Sequence, residues 1–404
     1  MFMQDHLNDV EFLYPERIDL GAFTSGSVVE PFSEDTIDFL NHLSSSLYKR
    51  PDIREYPDVG TFAFFCRKSN MLLNKKRYNH DALRLGRGIV FHITPSNVPL
   101  NFAYSFVAGL LAGNINIVRV PSARFKQIDI ICETIKRIAE NQYLESVTKR
   151  IALVRYDRRS KATDTFSSVC DVRVIWGGDN SIEEIRKSRI PARSFDLTFA
   201  DRYSFCIINA DFLVHNNDLE KLISGFYNDT YLFDQNACSS PHLIIWTGEI
   251  SNIEHAKNLF WSKLHDLVKD NYKLQPVVSV DKLTTFYNQV VLTGNSHMIR
   301  MPDNLIWRIK LDNLPANIDN FRCSSGYFYE YTAGCLNELS SVINRKYQTL
   351  SYYGLSKEYL IDVFRAIKPS GIDRIVPVGQ TTDFSLTWDG YDLIGTLSRE
   401  CDVR

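Results

Sequence analysis

The chain has 404 residues, of which 44% are hydrophobic and 23% are charged, and its formal net charge is −2. This composition is typical of a globular protein, and the length indicates two or three domains. A nearly neutral chain gives no reason to expect a nucleic-acid partner, and no apolar run approaches the roughly 18 residues of a membrane span.

We expect neither a secretory leader nor a cysteine framework in this chain. Residues 1–6 lack the basic, apolar and small-residue succession of a leader, so we expect a cytoplasmic protein. The eight cysteines are scattered, without CxxC pairs or histidine-rich metal spacing. A structural zinc site is therefore not expected, and in a reducing compartment the cysteines should be free thiols.

A regular alternation of strands and helices begins near residue 86. Four apolar runs have strand length: residues 88–93, 115–120, 151–155 and 172–176. Helical patterns follow three of them: residues 100–112, a helix opening at Pro121 and Ser122, and, after residues 172–176, a helix with Ser181 and Glu184 as a capping box. This alternation predicts a parallel, doubly wound sheet with ligands at the carboxyl ends of its strands.

A second α/β domain is predicted beyond about residue 200. Runs at 205–208, 243–246 and 276–280 look like strands, and stretches such as 252–270 look helical. The last forty residues are rich in loops, as expected of segments ordered by a domain junction or a ligand. The predicted domains are residues 1–200, with part of 370–404 packing back on them, and residues 201–370.

Several polar features of the first domain could hold a cofactor. Trp176, Gly177 and Gly178 form a turn between a strand and a helix, where free backbone N–H groups would favour a phosphate. The turn lacks the GxGxxG spacing, so a plain tight turn is the alternative. Arg119 and Ser122 lie at the end of the strand predicted at 115–120 and could reach a ribose or its phosphate, although a surface arginine would look the same.

Two residues could carry acyl chemistry. Cys238 lies in the polar loop 233–241 ahead of an apolar run, where it is either a nucleophile or a small buried residue. Asn97 stands in a turn between two prolines, where it could donate to an oxyanion or only satisfy the backbone. His242 would allow a Cys–His dyad that sequence spacing does not establish, and His92 is interpreted as a buried core histidine.

Together these motifs resemble a known superfamily. Three segments resemble the Pro-Trp-Asn-x-Pro-Leu, Ala-Gly-Asn and Lys-Pro-Ser patterns of the aldehyde dehydrogenases: residues 93–100, 112–114 and 121–122. Four others resemble the LuxC-type acyl-CoA reductases, which include the fatty acid reductases of bacterial luminescence: residues 176–179, 236–241, 373–379 and 388–391. The resemblance covers about residues 85–400.

The resemblance implies an aldehyde-dehydrogenase-like fold of two doubly wound α/β domains, a Rossmann-like cofactor domain and a catalytic domain. It makes Cys238 the nucleophile and Asn97 the oxyanion donor. It places Trp176, Gly177 and Gly178 at the cofactor phosphates. Arg119 and Ser122 then lie near the adenosine ribose.

Two departures from the aldehyde-oxidising pattern set the predicted chemistry. Residues 197–201 stand where those enzymes carry the glutamate that activates water, and none of them is a glutamate. Hydrolysis of an acyl-enzyme should therefore be slow. Arg119 lies near the position of the family lysine, and its fork could pair with a 2′-phosphate, which favours NADPH, with NADH as the alternative.

The predicted function is NADPH-dependent reduction of an acyl thioester to an aldehyde through an acyl-cysteine. The alternatives are a cysteine acyltransferase or thioesterase without a redox step, and a non-catalytic relative acting as an assembly partner. The sequence leaves open whether the acyl donor is coenzyme A, an acyl carrier or an acyl-protein synthetase, and whether the chain forms a homo-oligomer.

Overall fold

A computed structural model describes residues 7–78, 82–96, 98–216, 218–293, 296–299 and 303–404. The chain forms two compact units, one of Met1–Ala200 with Tyr391–Arg404 and one of Asp201–Gly390. The predicted domain boundaries are residues 200 and 370, and the cofactor and nucleophile roles of the two domains remain predictions.

The strands of the described residues are β1 (Glu11–Tyr14), β2 (Arg84–Gly86), β3 (Ile89–Ile93), β4 (Ile115–Arg119), β5 (Ile151–Arg155), β6 (Val172–Trp176), β7 (Phe195–Phe199), β8 (Tyr203–Asn209), β9 (Pro241–Thr247), β10 (Ser296–Ile299), β11 (Trp307–Leu311), β12 (Tyr327–Thr332), β13 (Tyr347–Tyr353), β14 (Arg374–Pro377), β15 (Thr387–Trp388), β16 (Tyr391–Asp392) and β17 (Ser398–Glu400).

The helices are α1 (Leu20–Thr24), α2 (Glu34–Tyr48), α3 (Pro57–Phe65), α4 (Lys68–Arg77), α5 (Asn101–Leu111), α6 (Lys126–Ile138), α7 (Glu145–Thr148), α8 (Ala162–Ser167), α9 (Asp179–Arg186), α10 (Ala210–His215), α11 (Leu219–Thr230), α12 (Ile250–Asn271), α13 (Pro276–Thr293), α14 (Lys357–Ile367) and α15 (Leu393–Leu397). None of the helices formed by the described residues combines the length and apolarity that a bilayer crossing requires.

The first unit is built on a six-stranded sheet in the order β1-β5-β4-β3-β6-β7. Strands β3 to β7 run parallel, and β3, β5 and β6 are buried along their whole length, as strands covered by helices on both faces must be. The predicted doubly wound sheet is confirmed. The strand order reverses between β3 and β6, which places a ligand crevice at the carboxyl ends of those strands.

The second unit is built on a seven-stranded sheet in the order β10-β11-β12-β9-β8-β13-β14. Only β10 runs antiparallel to its neighbour. Alternate residues of β8 enter different cores, because side chains alternate across a strand. Phe205 and Ile207 join one apolar cluster, whereas Cys206 and Ile208 join the cluster beneath α11 and α12.

Two predicted helix starts are corrected by the structure. The helix expected to open at Pro121 and Ser122 is α6, which begins at Lys126. The capping box of Ser181 and Glu184 is wrong, because α9 begins at Asp179 with Gly178 as its N-cap. The Gly178 carbonyl accepts the Ser181 N–H at 2.8 Å, so Ser181 already lies inside the first turn.

The strand predicted at residues 276–280 is wrong, because these residues open the helix α13. Pro276 takes the first helical position, where its missing N–H costs no hydrogen bond. Val277, Val280 and Tyr287 then follow at helical spacing, and each is about 60% exposed. The apolar run therefore covers a surface of the helix and not a sheet interior. The helix predicted at 252–270 is confirmed as α12.

The segment from Tyr391 onward belongs to the first unit. Its strand β17 pairs antiparallel with β2, and the side-chain amide of Asn114 donates to the Leu397 carbonyl at 2.8 Å. Leu393, Ile394 and Leu397 are buried in the interior of this unit. The segment is thus a structural part of the first unit.

Candidate active site

Cys238 lies in the loop that leads into β9. Two residues of this loop, Asp234 and Gln235, have left-handed backbone conformations with φ of 51° and 58°. The buried Gln235 side chain holds the turn in place, because it accepts from the Gly326 and Tyr327 N–H groups and donates to the Pro241 and Tyr327 carbonyls. A strained loop held by four hydrogen bonds is typical of a functional site.

The backbone of Cys238 is fixed from the neighbouring strand. The Ser204 hydroxyl, in β8, donates to the Cys238 carbonyl at 2.7 Å and accepts from the Thr349 N–H at 3.1 Å. The Ser240 hydroxyl donates to the Asp229 carbonyl at 2.7 Å, which supports its interpretation as a loop residue that satisfies the backbone. The position of the sulfur is therefore set by the main chain around it.

The Cys238 thiol is partly buried among polar and charged groups. The side-chain amide of Gln348 donates to its Sγ at 3.4 Å. Burial, and after it the charge of Asp389, raise the pKa of the Cys238 thiol to about 11, against the opposing effects of Gln348, Arg202 and Arg374. The sulfur is thus a thiol at neutral pH, with one amide and two guanidinium groups that favour its ionised form.

His242 does not act as a base for this thiol in the structure. Its ring is buried and stacks on Tyr203 at 5.7 Å. Neither ring nitrogen has a well-formed hydrogen bond among the described residues. Burial lowers the pKa of His242 to about 3, so the ring is neutral. The Cys–His dyad is therefore not formed.

The candidate nucleophile lies at the amino ends of the strands of the second sheet. Cys238 precedes β9, while Ser204 and Gln348 are each the second residue of their strands. The opposite, carboxyl edge carries a separate cavity of about 430 Å³, whose lining includes Asn209, Thr247 and Gly354. The prediction of ligands at the carboxyl ends of strands concerns the first sheet, and Cys238 belongs to the second.

Trp176, Gly177 and Gly178 lie at the carboxyl end of β6, beside the strand-order reversal of the first sheet. Trp176 stacks on Phe199 at 3.7 Å and donates from Nε1 to the Ser105 hydroxyl. The Gly177 N–H donates to the Phe199 carbonyl at 3.1 Å, so it is not one of the free N–H groups predicted for this turn. Gly178 is the N-cap of α9.

Arg119 ends β4, next to the same crevice, and Ser122 is exposed beyond it. The Arg119 guanidinium lies over the Tyr156 ring at 4.8 Å and donates from Nη2 to the Tyr156 carbonyl. Its Nε is buried without a hydrogen-bonding partner among the described residues. An orphaned cationic donor at this edge fits an anionic phosphate or a ribose hydroxyl of a dinucleotide.

Two predicted positions remain, Asn97 and His92. Asn97 lies outside the described residues. His92 is confirmed as a core histidine, because it is fully buried and bonds Ser105 at 2.7 Å and Asn116 at 3.1 Å. Within the described ranges, no group of three or more histidine, cysteine, aspartate or glutamate side chains is arranged to hold a metal ion.

Sequence reasoning assigned no role to Gln348, Arg374 or Asp389. Arg374 lies in the segment 373–379 and Asp389 in the segment 388–391. Both segments carried the family resemblance, and this could have pointed to the two residues. Gln348 had none, because it reaches Cys238 only through strand pairing more than a hundred residues along the chain. Gln235 lies in the loop 233–241, but the sequence alone does not show that its side chain is buried.

Solved structures show which fold this is. An NAD-dependent benzaldehyde dehydrogenase from Corynebacterium glutamicum matches with a TM-score of 0.61 and 11% identity, over 94% of this chain and 86% of that one. An NADP-dependent glyceraldehyde-3-phosphate dehydrogenase from Bacillus halodurans C-125 matches with a TM-score of 0.61 and 14% identity, over 92% and 86%. The fold is that of the aldehyde dehydrogenases.

The family is shown by sequence. Residues 68–299, more than half of the chain, match the family described as Acyl-CoA reductase (LuxC), and the chain belongs to this family. The long-chain acyl-protein thioester reductase of Vibrio harveyi is 25% identical over 307 residues. That match covers 74% of this chain, and the chain spans about 60% of the length of the curated relatives it matches.

Proposed function

We propose that this protein reduces an acyl thioester to an aldehyde with NADPH, through an acyl group carried on Cys238. The observation that supports this most directly is a fixed, partly buried thiol with Gln348, Arg202 and Arg374 around it, in a chain of the acyl-CoA reductase family. The acyl donor is proposed to be coenzyme A, a carrier or an acyl-protein, the last by analogy with the printed name of the Vibrio harveyi relative.

In this mechanism the Cys238 thiol loses its proton to solvent, and the thiolate attacks the thioester carbonyl carbon. A new carbon–sulfur bond forms to Cys238, and the donor leaves as its own thiolate. A reduced nicotinamide, when bound, would supply a hydride to the acyl carbon. The carbon–sulfur bond to Cys238 then breaks, its electron pair returns to the sulfur, and the aldehyde leaves. The stretch Leu197 to Asp201 contains no glutamate, the residue expected to activate water, so the acyl-enzyme awaits reduction.

The cofactor is proposed to bind the first unit. The orphaned Arg119 Nε at the end of β4 supports a site for an anionic group, and a guanidinium suits a 2′-phosphate, which favours NADPH over NADH. Trp176 and Gly178 would border the same crevice. Gly177 would contribute an open surface and not its N–H, because that group already has a partner.

The test compares C238A with the wild type and with C335A, which removes an exposed cysteine as a matched control. We expect C238A to lose acyl-CoA-dependent NADPH oxidation by at least a thousandfold, and C335A to keep it. Mass spectrometry after incubation with a panel of acyl-CoAs should find an acyl adduct on Cys238 only.

Three outcomes would contradict the proposal. Full activity of C238A would remove Cys238 from the chemistry. An adduct without any nicotinamide binding, measured by fluorescence quenching, would indicate an acyltransferase or thioesterase. A folded protein whose Cys238 reacts with neither acyl-CoA nor iodoacetamide would indicate a non-catalytic assembly partner.

A further inference from the structure

Two strand irregularities surround the candidate nucleophile. Tyr347 and Leu350 of β13 pair with Tyr203 and Phe205 of β8, so β13 contains one more residue than β8 over this stretch. A second irregularity lies in the adjoining pair, between β8 and β9. Bulges of this kind re-aim side chains and are frequent beside active sites. Gln348 is inside the first one.

The bulge is joined to the Cys238 loop through a single hydroxyl. The Thr349 N–H, inside the irregular stretch, donates to the Ser204 Oγ, and Ser204 donates in turn to the Cys238 carbonyl. The backbone of residue 349 and the backbone of Cys238 are therefore held by the same side chain. This connection fixes the distance over which the Gln348 side chain reaches the sulfur.

The Gln348 amide is fully buried, and both of its N–H bonds have partners. Its Nε2 donates to the Cys238 Sγ at 3.4 Å and to Asp389 Oδ1 in a short contact. Burial raises the pKa of Asp389, against the Gln348 hydrogen bond and the charges of Arg202 and Arg374, and in its ionised form this carboxylate only accepts hydrogen bonds. Asp389 therefore requires the nitrogen end of the amide to face it, and the second N–H of that nitrogen then points at the sulfur.

Asp389 is itself held in an uncommon conformation. Its φ is 48° and its side chain is 7% exposed. The neighbouring Trp388 ring lies 4.3 Å from the Arg374 guanidinium, which donates to the Thr381 and Asp383 carbonyls. A non-glycine residue kept in the left-handed region is a strain that functional sites retain.

We propose that Gln348 is a catalytic residue that stabilises the thiolate of Cys238, and that Asp389 is the positioning residue that orients its amide. The proposal rests on the role proposed above for Cys238. The Gln348 N–H would favour the ionised sulfur before attack. It would donate again when the carbon–sulfur bond breaks and the electron pair returns to sulfur.

Charge alone does not account for this arrangement. The charged groups that act on the sulfur are Asp389, which disfavours the thiolate, and Arg202 and Arg374, which favour it. The charge of a carboxylate beside a nucleophilic sulfur raises the pKa of the thiol, so its presence there indicates another role. The hydrogen bond from Gln348 Nε2 indicates that the role of Asp389 is to orient the amide.

The test measures the pH dependence of Cys238 alkylation by iodoacetamide, followed by peptide mass spectrometry. Q348M keeps the length of the side chain and removes the donor, and we expect it to raise the apparent pKa of Cys238 by about one pH unit. At a pH below that value, alkylation should then be about tenfold slower. Y352F, on the same strand, is the control and should leave the profile unchanged.

The D389N variant separates orientation from charge, because the two effects have opposite signs. If Asp389 acted only through its charge, removing it would lower the apparent pKa of Cys238. If it orients Gln348, the amide loses the ionised acceptor that fixes its nitrogen and keeps only the 3.4 Å contact of its Oε1 with the Thr349 hydroxyl, so the apparent pKa of Cys238 should stay level or rise. A clear fall would overturn the positioning role, and an unchanged profile in Q348M would overturn the role of Gln348.

This readout needs neither an acyl substrate nor a nicotinamide, so it fails independently of the proposed function. Active C238A together with a shifted Q348M profile would reject the reductase scheme and keep the Gln348–Cys238 interaction. Should Q348M not fold, by its thermal transition, Q348N is the second variant. Its shorter amide cannot span both Asp389 and Sγ, and the same rise in pKa is expected.

Discussion

At the scale of single residues, Glu330 shows how the second unit places a charge in its interior. Its side chain is 1% exposed. Oε2 accepts from the indole N–H groups of Trp246 and Trp261, each at 2.9 Å, and Oε1 accepts from Arg308 at 2.6 Å. A buried carboxylate is tolerated because each of its oxygens is hydrogen-bonded and a cation balances its charge.

The substitution E330Q should therefore be costly although it is nearly isosteric. The amide nitrogen cannot accept a hydrogen bond, so either the two indoles or Arg308 would lose their acceptor, and Arg308 would lose its counter-charge. We expect the free energy of unfolding to fall by about 3 kcal/mol, measured by urea denaturation. The exposed Glu249 provides the control, and E249Q should change the free energy of unfolding by less than about 0.5 kcal/mol. An equally small effect of E330Q would contradict the account.

At the scale of elements, α13 turns an unusual face to the protein. The two fully buried side chains among its described residues are polar, Lys282 and Gln289, whereas Val280 and Tyr287 are about 60% exposed. Lys282 donates to the Asn304 carbonyl at 2.7 Å. Burial lowers the pKa of Lys282 to about 8. This helix therefore carries a charge that the interior disfavours at neutral pH.

The pH dependence of stability should reveal Lys282. Because its pKa is lower in the folded than in the unfolded chain, its favourable contribution is present above about pH 10.5 and is lost as the pH falls through about 8. We expect the wild type to gain about 2 kcal/mol of unfolding free energy relative to K282M between pH 7 and pH 10. K310M, at an exposed lysine, should show no such trend with pH. If the difference in unfolding free energy between the wild type and K282M does not change with pH, the account of a buried charge is contradicted.

The elements also show what local sequence can and cannot specify. Strands β3 to β6 were predicted to within one residue at either end, because a short apolar run between turn residues has few other uses in a parallel sheet. The run at 276–280 was misassigned because apolarity was taken to mean burial. The loop of Cys238 was found from its motif, but Gln348 was not, since its approach depends on a bulge and on pairing between distant strands.

At the scale of the whole molecule, the first unit is discontinuous in sequence. Residues after 390 add β17 to β2 and bury Ile394 completely within this unit. Arg87 also donates from Nε to the Thr396 carbonyl at 2.7 Å. The second unit, by contrast, is one continuous stretch, Asp201–Gly390.

The two units should therefore respond separately to a substitution in the returning segment. I394A removes a buried aliphatic side chain and should lower the unfolding free energy of the first unit by about 3 kcal/mol. Hydrogen exchange with mass spectrometry should show lost protection in β3 to β6 and unchanged protection in β8 and β9. V403A, at a 76% exposed position, is the control. Equal loss in both units would contradict their separate stabilities.

The discontinuous first unit has a consequence during synthesis. Strands β3 to β7 leave the ribosome long before the residues that form α15 and β17. Until then, the surface of the first unit that later packs against Leu393, Ile394 and Leu397 is uncovered. The second unit can fold as soon as its own stretch has emerged. We therefore expect the first unit to complete its fold only after the whole stretch of the second unit has been synthesised.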